Sequence, residues 1–312
     1  MRWKPFRLVP DDTNYPFVHW SRYGYFLSGI LCALSVVLLL TQGLNFGIDF
    51  KGGTVVTIRT EGAANIDDLR SSLGGLGIGG VELQQYGGPS DVLIRLEAQG
   101  TEQAELAAQQ KVRTALGDKV EVRSVETVGP KVSNELTQQA ILAVLVSIIG
   151  VLIYLWGRFE WQFAAAAVVS ILHDVMLSIG LFSLIGLEFN LNIIAAILTI
   201  IGYSLNDTVV NFDRVREFMR KYKTMGFADL LDYSINSVLP RTLLTSVCTL
   251  ISLVALYIFG GEVIRGFTFA MIWGVFVGTY SSVFVAVPLL LILGLRRETA
   301  RVADQAAAAL RP

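Results

Sequence analysis

A carboxylate stands where an uncharged residue is expected. In the stretch "LTIIGYSLNDTVVNFDRVRE", Leu198 to Glu217, an apolar helical pattern is interrupted by Asn206 and Asp207 before the first interfacial arginine, Arg214. Seven residues separate Asp207 from Arg214, which puts the carboxylate about 10 Å inside that arginine at 1.5 Å per helical residue. An aspartate near the middle of a bilayer costs about 2.5–3.5 kcal/mol on insertion scales, and such residues face bundle interiors and mark ion pathways or proton relays. Thr199, Tyr203, Asp207 and Asn211 recur every four residues, with Gly202 and Asn206 beside them. Two readings stand: a titrating carboxylate in a proton path, or an aspartate held neutral by hydrogen bonds from Asn206 or Tyr203.

Other polar residues fall in apolar surroundings. His173 and Asp174 are adjacent in the middle of one run. An imidazole beside a carboxylate can relay protons, or it can be a hydrogen-bonded pair that tightens helix packing. Arg241 follows Pro240 at the start of a further run. It reads either as an ordinary cytoplasmic-side cation beneath a proline-initiated helix or as the partner of Asp207. Asp213 adjoins Arg214 and precedes Arg216 by three, the spacing of a helix-surface ion pair. Ala270, Gly274, Gly278, Ser282 and Ala286 recur every four residues, a small-residue stripe that permits close helix contact. No HExxH, Cys/His cluster or Ser/His arrangement accompanies them, so neither a metal centre, a cofactor nor an enzyme is expected. Cys32 and Cys248 read as small packing residues.

The elements that must hold these residues are membrane helices. The chain is 53% hydrophobic and 16% charged, with a mean hydropathy of +0.56. Soluble domains carry about a quarter charged residues. The net charge of −1 argues against a nucleic-acid binder. Six runs are long enough to cross hydrocarbon: Tyr23–Gln42, Leu136–Trp156, Phe163–Ile185, Leu191–Asn211, Arg241–Phe259 and Phe267–Leu293. Arg2, Lys4, Arg7, Arg22, Arg158, Arg214, Arg216, Arg220, Lys221, Lys223, Arg296, Arg297 and Arg301 then fall on one side, and the opposite short loops hold only Arg265. Both termini are therefore expected in the cytoplasm.

Residues 43–135 form the one segment large enough for a soluble domain, expected outside the cytoplasm between helices 1 and 2. "TVVTIRT", "VELQQY", "DVLIRLE" and "KVEVRSVETV" read as strands. Asn65 and Thr101 read as N-caps of two intervening helices. The order βαββαβ is ferredoxin-like. The expected organisation is a cytoplasmic segment 1–22, helix 1 over 23–42, the periplasmic ferredoxin-like domain 43–135, helices 2–6 over 136–295 and a cytoplasmic tail 296–312.

Taken together, "FGIDFKGG", "VGPKVSNEL", "LHDV", "AAILTIIGYSLNDTVVNFDRVRE", "RTLLTS" and "IRGFTFAMIWGVFVGTYSS" resemble the SecF side of the SecD/SecF family of protein-export membrane subunits, within the RND superfamily. The resemblance runs from about Tyr15 to Leu295. It implies one six-helix half of a transporter in the bacterial inner membrane, paired with SecD and associated with the SecYEG channel and YajC. It also implies use of the proton motive force to promote late translocation and release of exported polypeptides after the SecA ATPase has acted. The family's proton-linked Asp of "SLNDT" and Arg of "RTL" map onto Asp207 and Arg241, with Asn206 beside them. Two rival functions are a proton-coupled exporter of lipids or small hydrophobic molecules and a non-transporting assembly scaffold.

Overall fold

The computed structural model describes residue 10 and residues 13–86, 88–117 and 120–295. The expected charges at Arg2, Lys4, Arg7, Arg296, Arg297 and Arg301 lie outside the described residues. The chain divides into two compact units. One comprises residues up to Leu44, Val146–Leu187 and the stretch from Asn192 onward. The other comprises Asn45–Leu145 and Glu188–Leu191.

Helices α1 (Phe17–Thr41), α5 (Pro130–Arg158), α6 (Trp161–Ile185), α7 (Leu191–Lys221) and α8 (Phe227–Phe259) are each long and apolar enough to cross a membrane. A sixth such stretch, Val263–Ile292, is built from α9 (Glu262–Ser281), a π-helical turn (Ser282–Ala286) and α10 (Val287–Ile292). The chain is a helical membrane protein. Large apolar side chains point outward, among them Phe26, Leu40, Trp156 and Phe259, the last three more than four-fifths exposed. In water that surface would aggregate; in lipid it is the solvated face.

The helices overrun the apolar windows that flag them in the sequence. The clearest correction is at Pro240, which does not start a helix but lies inside α8. Residues before it bury Leu230, Leu231, Ile235 and Val238, so the helix is anchored on both sides of the proline. That burial outweighs the roughly 3 kcal/mol an interior proline costs. Asp213 is also corrected: it pairs with Arg158, at 2.7 and 3.0 Å, rather than with Arg216. Arg216 instead donates to the Arg158 carbonyl oxygen at 3.2 Å. Cys32 is partly buried but Cys248 is exposed, so the packing reading fails for the second cysteine.

At one end of the helical unit, Phe159, Phe163 and Phe212 cluster with Val215, Phe218, Leu230 and Leu231. Gly274 and Gly278 bring α9 close to α7. A Cβ built at Gly274 would fall 2.2 Å from Cγ1 of Ile200, and one at Gly278 3.0 Å from Cβ of Ser204. The small-residue stripe therefore seats α9 against α7 of the same bundle.

The second unit contains β2 (Gly53–Thr60), α3 (Ile66–Gly74), β3 (Val81–Gln85), β4 (Asp91–Leu96), α4 (Glu102–Leu116) and β5 (Val120–Val128). Its sheet is antiparallel, in the order β3-β4-β2-β5. Alternation divides β4 between faces. Val92, Ile94 and Leu96 join Ile58, Leu73 and Val112 in a core, while Leu93 packs with Ile48 and Val55 in a separate cluster. Asn65 accepts from the amides of Asp67 and Asp68, and Thr101 from that of Ala104, as N-caps should. The same unit holds β1 (Asn45–Phe46), the short α2 (Ile48–Lys51) and β6 (Glu188–Phe189), which pairs with β1 in parallel. It therefore takes in more chain than 43–135.

Two predictions follow from close backbone contacts. Gly53 has φ +111°, and a Cβ there would fall 2.3 Å from the carbonyl oxygen of Leu96. Gly53→Ala should destabilise the sheet unit by at least about 1–3 kcal/mol, whereas Gly62→Ala, which faces open space, should be near neutral. Limited proteolysis across a temperature series reads the difference, and equal behaviour would refute the account. Gly274→Leu should overpack the α7–α9 contact by about 1–3 kcal/mol or more and lower detergent stability. Gly150→Leu, with no neighbour within 4 Å, is the control.

Candidate functional site

Among its described residues the helical unit buries two aspartates, and it treats them differently. Asp174 on α6 is 1% exposed. One of its oxygens lies 2.8 Å from Nδ1 of His173. The other accepts hydrogen bonds from Ser204 on α7 at 2.5 Å and from Ser281 on α9 at 2.8 Å. The network continues outward: Nε2 of His173 lies 3.0 Å from the Ser28 hydroxyl, which is 3.1 Å from the Tyr280 hydroxyl. Tyr280 in turn donates to the carbonyl oxygen of Gly24 at 2.9 Å. Serine and tyrosine hydroxyls from α1, α7 and α9 thus meet a histidine–carboxylate pair on α6. Buried polar groups in hydrocarbon need this degree of pairing.

Asp207 on α7 is also buried, at 7% exposure, but is held more loosely. Its Oδ2 accepts one long hydrogen bond, 3.3 Å, from Ser282, whose hydroxyl also donates to the Thr279 carbonyl oxygen at 3.1 Å. The carboxylate lies within electrostatic reach of the Arg241 guanidinium, and the Thr242 hydroxyl faces it. Arg241 itself is exposed and makes no ion pair with Asp207. Asn211, one turn on, donates to the Asp207 backbone carbonyl oxygen at 3.1 Å.

Asn206 is exposed and makes no hydrogen bond to Asp207. Tyr203 does not hold the carboxylate either; its hydroxyl points to Ser246, 3.4 Å away, which is 2.8 Å from the Thr279 hydroxyl. The four-residue stripe from Thr199 to Asn211 also separates. Four residues turn a helix by about 400°, so each step drifts about 40°. Thr199 consequently ends up exposed while Asp207 and Asn211 are buried.

Ser281 and Ser282 are neighbours in sequence, yet one binds Asp174 and the other Asp207. They sit where α9 passes into the π-helical turn Ser282–Ala286. Such insertions widen a helix locally and recur at functional sites. Pro288, two residues past the turn, has no amide to give to the carbonyl one turn behind it. Nearby, the Tyr25 hydroxyl donates to the Val285 carbonyl oxygen at 3.3 Å.

Sequence spacing singled out Asp207, His173, Asp174, Gly274, Gly278 and Ser282. It missed Ser28, Ser204, Tyr280 and Ser281, which supply the hydroxyls around Asp174. Small polar residues in apolar runs were the available signal, but nothing in their spacing says which carboxylate each one meets.

Thr199, Gly202 and Asn206 on α7 and Arg241 and Thr245 on α8 are all exposed. Gly202 has no neighbour within 4 Å of a built Cβ. Polar and small residues are thus turned outward from two helices of membrane-spanning length.

Among known proteins, the family model described as "Protein export membrane protein SecD/SecF, C-terminal" matches residues 108–296, and the "SecD/SecF GG Motif" model matches residues 37–64. The chain is 46% identical over 309 residues to the protein translocase subunit SecF of Rhodobacter capsulatus, covering 93% of this chain and 92% of that one. It is 41% identical over 296 residues to SecF of Vibrio alginolyticus, covering 94% of each. It is also similar to the crystal structure of SecDF, a translocon-associated membrane protein from Thermus thermophilus, at a TM-score of 0.84 and 35% identity. That match covers 94% of this chain and 40% of the longer SecDF chain. A matched model over more than half the chain, with full-length relatives at this identity, places the membrane protein described here in the SecD/SecF family of protein-export membrane proteins.

Proposed function

We propose that this chain is the SecF-type half of a proton-driven export device. Asp207 is its titrating group and Arg241 the cation that biases it. The observation that carries the reading is the contrast between the two buried aspartates. Asp174 has three hydrogen-bond partners that fix it within the bundle. Asp207 has one long hydrogen bond and a cation within reach but not in contact. A carboxylate held so weakly can exchange an internal partner for a proton at low cost. His173 and Asp174 accordingly serve as a structural pair that locks α6 to α7 and α9.

A SecD partner is supported by these outward-facing residues. Thr199, Gly202, Asn206 and Arg241 are poorly suited to lipid, and a second six-helix half would cover them. The chain spans only 40% of the SecDF chain it resembles, which leaves room for such a half. Asn206 then acts at that covered face, beside Asp207 rather than upon it. The βαββαβ unit is read as a ferredoxin-like periplasmic domain, with both termini cytoplasmic in the inner membrane. Working with SecYEG, YajC and SecA, the pair would use proton entry to move that domain and promote late translocation and release of exported polypeptides. One charge crossing 100 mV is worth about 2.3 kcal/mol. That biases a two-state movement more than tenfold but does not unfold a cargo domain, which favours a ratchet or clamp.

Asp207→Asn keeps the side chain's size and hydrogen bonding but removes titration. It should leave assembly intact and abolish the proton-gradient-dependent part of export in inverted membrane vesicles. Normal gradient-driven export at wild-type expression would sink the reading. Arg241→Met should reproduce the defect, and the double variant should be little worse than either single one, since groups acting as a unit are non-additive. Fully additive losses would reduce Arg241 to a topology signal.

A further inference from the structure

The motif "FGIDFKGG" takes no part in the proton chemistry described above, yet it organises the second unit. Its counterpart is Glu188–Leu191, the link from α6 into α7. Asn45 and Phe46 pair with Glu188 and Phe189 in parallel register. The Gly47 amide donates to the Phe189 carbonyl oxygen at 2.9 Å. A Cβ at Gly47 would fall 2.6 Å from Oε1 of Glu188 and 3.3 Å from Cβ of Asn190, so a larger residue there would push the Glu188 side chain aside. The rings of Phe46, Phe50 and Phe189 stand 5.7–6.0 Å apart.

Two charged groups complete the contact. Asp49 accepts the amide of Leu191, the first residue of α7, at 2.8 Å. The first amides of a helix lack internal partners and favour a carboxylate. Arg95, on the face of β4 away from the main core, lies 2.9 Å from Glu188 and 3.5 Å from Glu82, and donates to Oδ1 of Asn45 at 2.9 Å. Arg95 is 9% exposed. Burial pushes the Glu188 carboxyl up, Arg95 opposes that, and Asp49 and Glu126 add to it. A two-residue strand has little stability of its own. Here it is fastened by pairing, ring contacts, an ion pair and a helix cap.

Leu191 begins the helix that carries Asp207, about 24 Å further along at 1.5 Å per residue. We propose that Asp49 and the Arg95–Glu188 pair are positioning residues that keep Glu188–Leu191 clamped to the soluble domain throughout the cycle, so that movement of that domain and movement of the Asp207 helix are a single event. This rests on the proton-coupled reading of Asp207.

The test uses the full chain with its native partners in inverted vesicles, with Asp207→Asn run in parallel. Asp49→Leu combined with Glu188→Ala should cut the gradient-dependent part of export about fivefold or more, the scale of ordinary coupling. The ATP-driven part should be unchanged, and hydrogen exchange at Leu191–Ile194 should accelerate. Asp49→Asn, which can still accept the Leu191 amide, should retain coupling. Exchanging the charges, Arg95→Glu with Glu188→Arg, should recover much of what either reversal loses. In a Cys32→Ser, Cys248→Ser background, a Phe46→Cys/Phe189→Cys disulfide should form on oxidation, leave export working and rescue the loosened variant until reduced. Failure of that disulfide to form, or a block of export once it has formed, overturns the clamp. Full coupling in the loosened variant while Asp207→Asn is inactive overturns it too, and leaves the proton reading standing. Normal export by Asp207→Asn instead removes the proton reading.

Discussion

Hydrocarbon offers no hydrogen bonds, so any polar group carried into it must find its partners inside the protein. That constraint explains why hydroxyl side chains gather where they do. Asp174 draws Ser204 and Ser281 toward it, and His173 draws Ser28 and, through it, Tyr280. Three of these bonds join α6 to another helix, and the Ser28–Tyr280 contact joins α1 to α9. The polar network and the helix packing are therefore one structure, with Gly274 and Gly278 allowing α9 close enough to α7 for the serines to reach. A large side chain on that stripe would separate the backbones and pull the serine donors away from Asp174.

The same constraint gives Asp207 its character. It is buried, but the elements around it supply one long hydrogen bond, where those around Asp174 supply two shorter ones. At the junction of α9 and the π-helical turn, consecutive serines meet different carboxylates. On the proposed reading, the satisfied carboxylate is the fixed point of the bundle and the under-satisfied one is where proton exchange has mechanical consequences. Arg241, exposed and unpaired with Asp207, suits a cation whose closest contact changes during a cycle.

In the second unit the decisive contacts are close approaches at glycine. Gly47 permits close approach to Glu188, and Gly53 takes a positive φ against the Leu96 carbonyl. Glycine acts differently at the two positions: at the first a side chain would displace the Glu188 carboxylate, and at the second backbone conformation and missing bulk both call for it. Between them Asp49 reaches the start of α7. A short motif with no catalytic chemistry thus joins a strand, a helix cap and a tight turn within eight residues.

Much of this was legible in the sequence. Hydropathy over six runs and alternation in four short segments identify the membrane helices and the strands, because burial in lipid or on one sheet face imposes a period on residue type. Asn65 and Thr101 are readable as caps because their partners lie within three residues. Asp207 is conspicuous because a charge in an apolar run is costly wherever it points. Helix ends were less legible: Phe227–Leu239 is held by tertiary burial rather than by an apolar run, so the position of Pro240 inside α8 could not be read locally. The pairing of Asp213 with Arg158, the division of Ser281 and Ser282 between two carboxylates, and the outward orientation of Asn206 depended on the fold. Spacing along one helix gives a residue's angle on that helix. Which neighbouring helix occupies that angle is set by packing among segments far apart in the chain, and only the tertiary structure decides it.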